Sequence, residues 1–433
     1  MKRMEQYLET AKAALSLLQK AGADQAESLL HVCRLEEITA EAKQFNLMRT
    51  MTTETLTLRA IRSGRSGKVT VNRLDAPTLA NAVQQCMEAT SFVQGDAYAG
   101  IAEHTQNARF HRGALAGESE TMACRLVELA KDVECEYPHI VYELSGRYTH
   151  EYEILINSNG VEYVDERGIY TVDGGFTAVR DGQSTSFGPG AYFQLLEPDV
   201  RYIELDGMRS ELERTMSLLD PVPAGKKFTG TLLAMPTFCS QFFNYLSRIA
   251  LADISITSGT SRLLGHIGEQ VADARINWAY RPYGPDIMQG ERFTPDGYRA
   301  EDFTVIENGI LRSYLLTRYG AAKSGLARAA NSGSGICVHP GKTELAKIIQ
   351  GIEHGVIIGR YSGTEPGVDG EISGVAKNGF LIENGKVTRP IVETMVSGNL
   401  FSMLRNVRDI SAEAKRDGTR VMPWIAFEGI TIK

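Results

Sequence analysis

Apolar and polar positions along this chain follow two different periods. Leu8, Ala11, Ala14, Leu15 and Leu18 recur at helical spacing among Glu5, Glu9, Lys12 and Lys20, which predicts an amphipathic helix ending near Ala21-Gly22-Ala23. From about Ala26 to Arg73 the period becomes two: Thr55-Leu56-Thr57-Leu58-Arg59-Ala60-Ile61 alternates, and Ser63-Gly64-Arg65-Ser66-Gly67 turns the chain into Lys68-Val69-Thr70-Val71. Asp75 is placed to cap a helix with Leu79, Val83, Cys86 and Met87 on its apolar face. Residues 94–117 are polar and irregular and read as a linker or long loop. Ser119 then opens a helix with Met122, Leu126, Leu129 and Val133 on one side. Strands follow at Glu153–Ile156 and Val161–Val164 around the turn Asn157-Ser158-Asn159-Gly160, with Gly174-Gly175 and Gly188-Pro189-Gly190 punctuating the strands beyond.

Asp220-Pro221-Val222-Pro223-Ala224-Gly225 is the best boundary signal, because two prolines and a glycine stop the preceding helix. It divides the chain into an N-terminal α/β region, 1–222, with a sub-boundary near 94–117, and a C-terminal region, 229–433. In the second region Thr229–Pro236 reads as a buried strand and Phe238–Leu251 as an apolar helix. Asn308-Gly309 and Asn384-Gly385 each follow Ile-Glu and predict type I′ hairpins, since both central residues of that turn need positive φ. Short helices are expected around Leu345–Ile352 and Leu400–Val407. Helices packed on antiparallel hairpins make the fold class α+β, with a hairpin-rich C-terminal β domain.

Composition narrows the function classes. Hydrophobic residues are 43% and charged residues 23%, so the 433-residue chain can bury a core. Its net charge of −7 gives no basic footprint for nucleic acid. No run approaches the ~18 apolar residues of a membrane span. The start Met-Lys-Arg lacks an apolar leader, and the six cysteines, Cys33, Cys86, Cys124, Cys135, Cys239 and Cys337, contain no C-x-x-C pair. A cytoplasmic protein with reduced thiols is expected.

Three familiar chemistries fail on spacing, missing residues or context. Gly341-Lys342-Thr343 ends like a phosphate loop, but Gly335 to Gly341 encloses five residues where four are needed; Thr343 reads instead as the cap of the next helix. His150-Glu151 has Ile154 where a zincin places its second histidine. His266 and Glu269 begin like the inverted zincin motif, but Gln270 replaces the closing histidine. Cys337 and His339 lie two apart on an expected strand, which makes a Cys/His nucleophile pair conceivable, yet no acylating context accompanies them.

In the C-terminal half, Gly259-Thr260-Ser261, Gly265-His266-Ile267-Gly268-Glu269, Val305–Leu311, Pro340-Gly341-Lys342, Leu381–Val387 and Glu393–Leu400 together resemble, in order, the TldD/PmbA family, once called modulators of DNA gyrase. The resemblance implies a metallopeptidase with two kinds of subunit. The TldD kind carries an H-E-x-x-x-H helix and a later cysteine as zinc ligands, and the PmbA kind (also called TldE) lacks them and pairs with it. Counting back without a gap from Gly259, those positions fall on Asn244, Tyr245 and Ile249, and no cysteine follows Cys337. Two ligands five residues apart also need a locally widened helical turn, which nothing in the local sequence demands. Phe238, Phe242, Tyr245 and Ile249 read as one core stripe.

The resemblance therefore implies a PmbA/TldE-like subunit with no catalytic residue and no metal of its own, zinc residing in a TldD-like partner. Its substrates would be unstructured peptides or small unfolded proteins, and it would form a homodimer when alone. His266, Glu269, Gly335, Cys337 and His339 are candidates for the peptide cleft, and the glycines of Ser332–Gly335 and Gly367–Gly370 could admit a peptide backbone. The alternatives are an autonomous peptidase using those same side chains, and a regulatory protein acting on gyrase.

Overall fold

The computed structural model describes residues 2–41, 43–104, 106–185 and 190–433, so Gly188 and Pro189 of the expected turn lie outside the described residues. The N-terminal half is one long sheet under helices. Strands β1 (Gln25–Glu41), β2 (Gln44–Arg62), β3 (Arg65–Val71), β4 (Ala108–Gly113), β5 (Ile140–Asn157) and β6 (Glu162–Arg180) run in the spatial order β3-β2-β1-β5-β6-β4, with β7 (Gln183–Ser184) and β8 (Ala191–Leu195) also on β6. All of these pairs are antiparallel except β4 with β6. The stretch expected to be irregular between 94 and 117 thus contains an edge strand. It pairs in parallel along Ala108–Gly113, and its polar Arg109, His111 and Arg112 hid it.

Period-two alternation decides what each sheet face meets. Helices α1 (Lys2–Lys20) and α2 (Ala76–Phe92) bury Leu8, Leu18, Leu79 and Cys86 against Leu30, Leu58, Ile154 and Ile156. Asp75 caps α2 as its sequence predicts, accepting from the Thr78 N–H at 3.0 Å. Further along, α3 (Ser119–Glu136) and α4 (Met208–Ser217) bury Leu126, Leu129, Met208 and Leu212 against Tyr142, Leu144, Val172 and Phe176. The opposite face meets the C-terminal half. There Tyr163 stacks on Phe293 at 5.4 Å, and Arg167 is ion-paired with Glu151, Glu153 and Asp165.

The C-terminal sheet comprises β9 (Phe228–Ala234), β10 (Trp278–Tyr280), β11 (Phe303–Glu307), β12 (Ile310–Leu311), β13 (Ile336–Val338), β14 (His354–Ile358), β15 (Arg360–Gly363), β16 (Glu371–Lys377), β17 (Gly379–Glu383), β18 (Lys386–Ile391), β19 (Met395–Asn399), β20 (Val407–Arg416) and β21 (Arg420–Ile432). Strand β21 is its axis, pairing with β9, β13, β19 and β20. Both Asn-Gly hairpins form with positive φ at each central residue: 48° and 79° at Asn308-Gly309, 51° and 74° at Asn384-Gly385. The helices are α5 (Pro236–Leu246), α6 (Asp253–Thr257), α7 (Arg318–Ser324), α8 (Leu345–Gln350) and α9 (Leu400–Arg405). Thr343 does not cap α8. That helix begins two residues later, and its Leu345 N–H donates to Glu413 at 2.9 Å. Among the described residues no helix is long and apolar enough to cross a membrane.

One buried group at the junction of the halves yields a prediction. Glu27 of β1 is 7% exposed and its Oε2 has no hydrogen-bond partner. Burial lifts its pKa to about 7, nearby Asp296 adds to the rise, and Arg59 and Lys68 oppose it. The unfolded chain loses this proton near the ordinary carboxyl value, whereas the folded chain holds it until about 7. Stability is therefore lost as pH rises through that window, by roughly 3 kcal/mol in all. Denaturant titrations of wild type and Glu27→Gln should show the variant gaining on wild type between pH 5 and 8. A gap between them that does not change with pH would contradict this.

Candidate functional site

Helix α5 is set by its own sequence. Pro236 occupies the first helical position, where its missing N–H costs nothing. Phe238, Cys239, Phe242, Phe243 and Leu246 then form the buried side. Phe242 packs 5.0 Å from Phe427 of β21, and Phe243 lies 4.9 Å from Trp278 of β10. The helix is thereby anchored to the sheet at two points. Asn244 is exposed, Tyr245 half-buried, and Ile249 buried at 6%. The expected core stripe holds for Phe238, Phe242 and Ile249, with Tyr245 only partly covered.

The expectation of an unwidened helix is overturned. After Leu246 the chain continues as a π-helical turn, Ser247–Leu251, in which the Ala252 N–H donates to the Ser247 carbonyl five residues back at 3.0 Å. Tertiary partners hold this turn open. The Ser255 hydroxyl donates to the Arg248 carbonyl at 2.7 Å, the Ser261 hydroxyl to the Ala250 carbonyl at 2.6 Å, and the Leu315 N–H to the Leu251 carbonyl at 2.9 Å. Gly259-Thr260-Ser261 therefore does a definite job: Gly259, at φ +70°, turns the chain so that Ser261 reaches the widened turn. Of the three counted-back positions only Ile249 lies in the widened turn; Asn244 and Tyr245 stand in the last turn of α5 before it.

The exposed side of this segment is internally satisfied. Tyr245 Oη accepts from Gln241 Nε2 at 2.8 Å, and the Arg248 guanidinium lies over the Tyr245 ring at 5.6 Å while pairing with Glu365. An amide, a phenol and a branched alkyl side chain do not fit zinc, which takes imidazole, thiolate or carboxylate donors. Among the described residues no group of three His, Cys, Asp or Glu could hold a metal.

The cleft candidates fall apart into separate places. His266 and Glu269 contact each other, Nδ1 to Oε2 at 2.7 Å, but both are exposed and lie beside β12. Cys337 sits on β13 between Ala279 and Val421, and β11 and β10 separate that strand from β12. Burial raises the Cys337 thiol above its ordinary value, the reverse of what an activated nucleophile needs. His339 is exposed just beyond the strand, and among the described residues no hydrogen bond joins it to Cys337. Gly335 serves its own chain, because a Cβ there would stand 2.7 Å from the Arg281 carbonyl oxygen. Gly370 is similar, its Cβ position lying 2.7 Å from the Phe401 ring. Sequence reasoning passed over Arg248 and Glu365. Their pairing joins segments far apart in the chain and leaves no local signature.

Two outcomes follow. Restoring Asn244→His, Tyr245→Glu and Ile249→His together should give only weak zinc binding in calorimetric titration, because no thiolate completes the set. The same variant should lose roughly 2–4 kcal/mol of stability, since Ile249 is core. Tight, chelator-resistant zinc would contradict this. In a timed alkylation followed by mass spectrometry at neutral pH, exposed Cys124 and Cys135 should react well before Cys337, with buried Cys86 and Cys239 last. Preferential labelling of Cys337 would contradict its reading as a packed thiol.

Residues 229–433 match the PmbA/TldA metallopeptidase C-terminal domain. Over almost its whole length the chain is similar to the Metalloprotease PmbA homolog of Haemophilus influenzae, 23% identical over 428 residues that cover 94% of this chain and 92% of that one. The Metalloprotease PmbA of Escherichia coli O157:H7 is 27% identical over 203 residues, 45% of this chain and 43% of that one. In three dimensions the chain is similar to TldE from Thermococcus kodakarensis, with a TM-score of 0.86 at 18% identity, covering 98% and 99% of the two chains. The C-terminal match, the near full-length kinship and the shared fold agree with the ordered motifs of the sequence: the chain belongs to the PmbA/TldD family.

Proposed function

We propose that this chain is the non-zinc, PmbA/TldE-like subunit of a heteromeric cytoplasmic metallopeptidase that acts on unstructured peptides or small unfolded proteins. Its work is to complete the cleft and the assembly, and the peptide bond is cut in a TldD-like partner that holds the zinc. The observation that carries this reading is the widened turn after α5. That turn contains Ile249 and directly follows Asn244 and Tyr245, and Arg248 within it lies across Tyr245 and pairs with Glu365. Zinc hydrolysis needs a Lewis acid to polarise the carbonyl and a carboxylate to move the proton. This chain's residues supply neither there.

The first sheet offers a surface for assembly. Strand β3 covers β2 only from Leu56 onward, so among the described residues no strand pairs with the outer edge of Gln44–Thr55. Along that edge Phe45, Leu47, Met48 and Met51 are exposed, Met48 at 74%. A long apolar edge strand is a liability in a free monomer and a ready template for a partner. A subunit of the same family could bury it symmetrically.

Mixing the chain with a ligand-bearing family member should produce peptidase activity that neither protein shows alone. The double variant Leu47→Glu, Met48→Glu should abolish association in sedimentation analysis while leaving thermal stability within about 0.5 kcal/mol, because both side chains are exposed. A chain that stays monomeric beside such a homologue and leaves its activity unchanged would overturn the proposal.

A further inference from the structure

Where β2 of the first sheet meets α7 and the loop around Asp296, the seam between the halves holds a cavity of about 270 Å³. Three arginines line it: Arg59 of β2, Arg318 at the start of α7, and Arg328 just beyond that helix. Among the described residues the one carboxylate on its wall is Asp296. Each oxygen of that carboxylate already accepts a hydrogen bond, one from the Thr294 hydroxyl and the other from the Arg318 backbone N–H at 2.6 Å.

Neutral groups orient the three guanidiniums. Arg59 Nε donates to the Ser66 hydroxyl at 3.2 Å, and among the described residues its two Nη groups have neither a hydrogen bond nor an ion pair. Arg328 lies over the Tyr298 ring at 3.9 Å and donates from Nη1 to the Ala329 carbonyl at 2.7 Å. It too has no ion pair among the described residues. Arg318 Nη1 donates to the Tyr98 carbonyl at 3.2 Å. Gly100 makes room for that side chain, since a Cβ there would stand 2.2 Å from Arg318 Nη2.

Two further carboxyls stand near without lining the cavity. Glu103 reaches Arg318 at 3.7 Å, but its side chain is 69% exposed and also accepts the Tyr298 phenol, so solvent screens the pair. Glu27, the cross-strand neighbour of Arg59, is the buried carboxyl that keeps its proton to about pH 7, and Lys68 on the other side of Arg59 offsets what charge it carries. Guanidinium forks pair with phosphate and carboxylate oxygens through charge-assisted hydrogen bonds. Three of them against one lining carboxylate leave two positive charges uncompensated in a concave site, within a chain whose net charge is −7. A dianion matches that balance and a monoanion does not. Pro295, Leu315, Leu316 and Ala329 supply apolar wall, and a volume just under the usual small-molecule range keeps the ligand small.

We propose that this cavity binds a small phosphate monoester, its phosphoryl oxygens held by Arg59, Arg318 and Arg328 and its organic body lying against Leu315 and Leu316. Such a ligand touches both halves of the chain and so fastens them together. Free phosphate shares the headgroup chemistry but leaves the apolar wall uncovered. The site is independent of the partner-subunit reading, since it needs neither zinc nor a second chain.

The test uses the full chain at fixed ionic strength with phenyl phosphate, inorganic phosphate and benzoate as probes. Phenyl phosphate should raise the melting temperature and bind roughly tenfold or more tightly than benzoate in calorimetry, with inorganic phosphate weaker than the ester. Arg59→Met and Arg328→Met should each weaken phenyl phosphate by about tenfold, whereas Arg62→Met at the exposed neighbouring turn should leave it unchanged. In ³¹P spectra the phenyl phosphate line should broaden with wild type and stay sharp with Arg59→Met. Absence of phenyl phosphate binding at millimolar concentration, equal binding of phenyl phosphate and benzoate, inorganic phosphate as tight as the ester, or undiminished affinity in folded Arg59→Met and Arg328→Met would each overturn the proposal. The wild-type comparison of the three probes decides the matter even where a variant fails to fold.

Discussion

The pairing of β21 with four other strands is the constraint on which the C-terminal half depends. Through β9 and β13 it fixes the roots of α5 and the Cys337 strand, and through β19 and β20 it brings the residues on either side of α9 into the same sheet. A strand with so many neighbours must bend. It does so where the register shifts between Phe427 and Ile430, with Gly429 at φ +77°. Phe427 is completely buried and packs against Phe242, so the same strand that organises the sheet also seats the helix bearing Asn244 and Tyr245.

That arrangement separates scaffold from chemistry. The widened turn after α5 is held from outside by Ser255, Ser261 and Leu315. The hydrogen bonds that shape the turn are not made by the side chains of Asn244, Tyr245 or Ile249. The Arg248–Glu365 pair is exposed and contributes little to stability. Its consequence is occupancy, since the Arg248 guanidinium lies over the Tyr245 ring.

The features legible in the sequence were those with local causes. Asn308-Gly309 and Asn384-Gly385 demand positive φ, Asp75 caps α2 within three residues, and α1 announces its buried face at Leu8, Ala11, Ala14 and Leu18. The parallel edge strand Ala108–Gly113 was hidden because its residues are mostly polar and its partner lies some fifty residues further on. The π turn was hidden for a related reason: Phe238–Leu251 is helical by composition, and the hydroxyls that widen it come from later in the chain. Asn244, Tyr245 and Ile249 come from counting back from Gly259, whereas the Arg248–Glu365 pair beside them has no local signature. His266 with Glu269, and Cys337 with His339, are near neighbours in sequence, yet the order β12-β11-β10-β13 keeps the two pairs in separate places.

The central claim is the proposal that Asn244, Tyr245 and Ile249 leave this chain without the means to hold zinc. Native mass spectrometry of the purified chain, after equilibration with excess zinc and brief exposure to a chelator, tests it most directly. The account predicts the mass of the bare polypeptide. One equivalent of zinc surviving the chelator would contradict it.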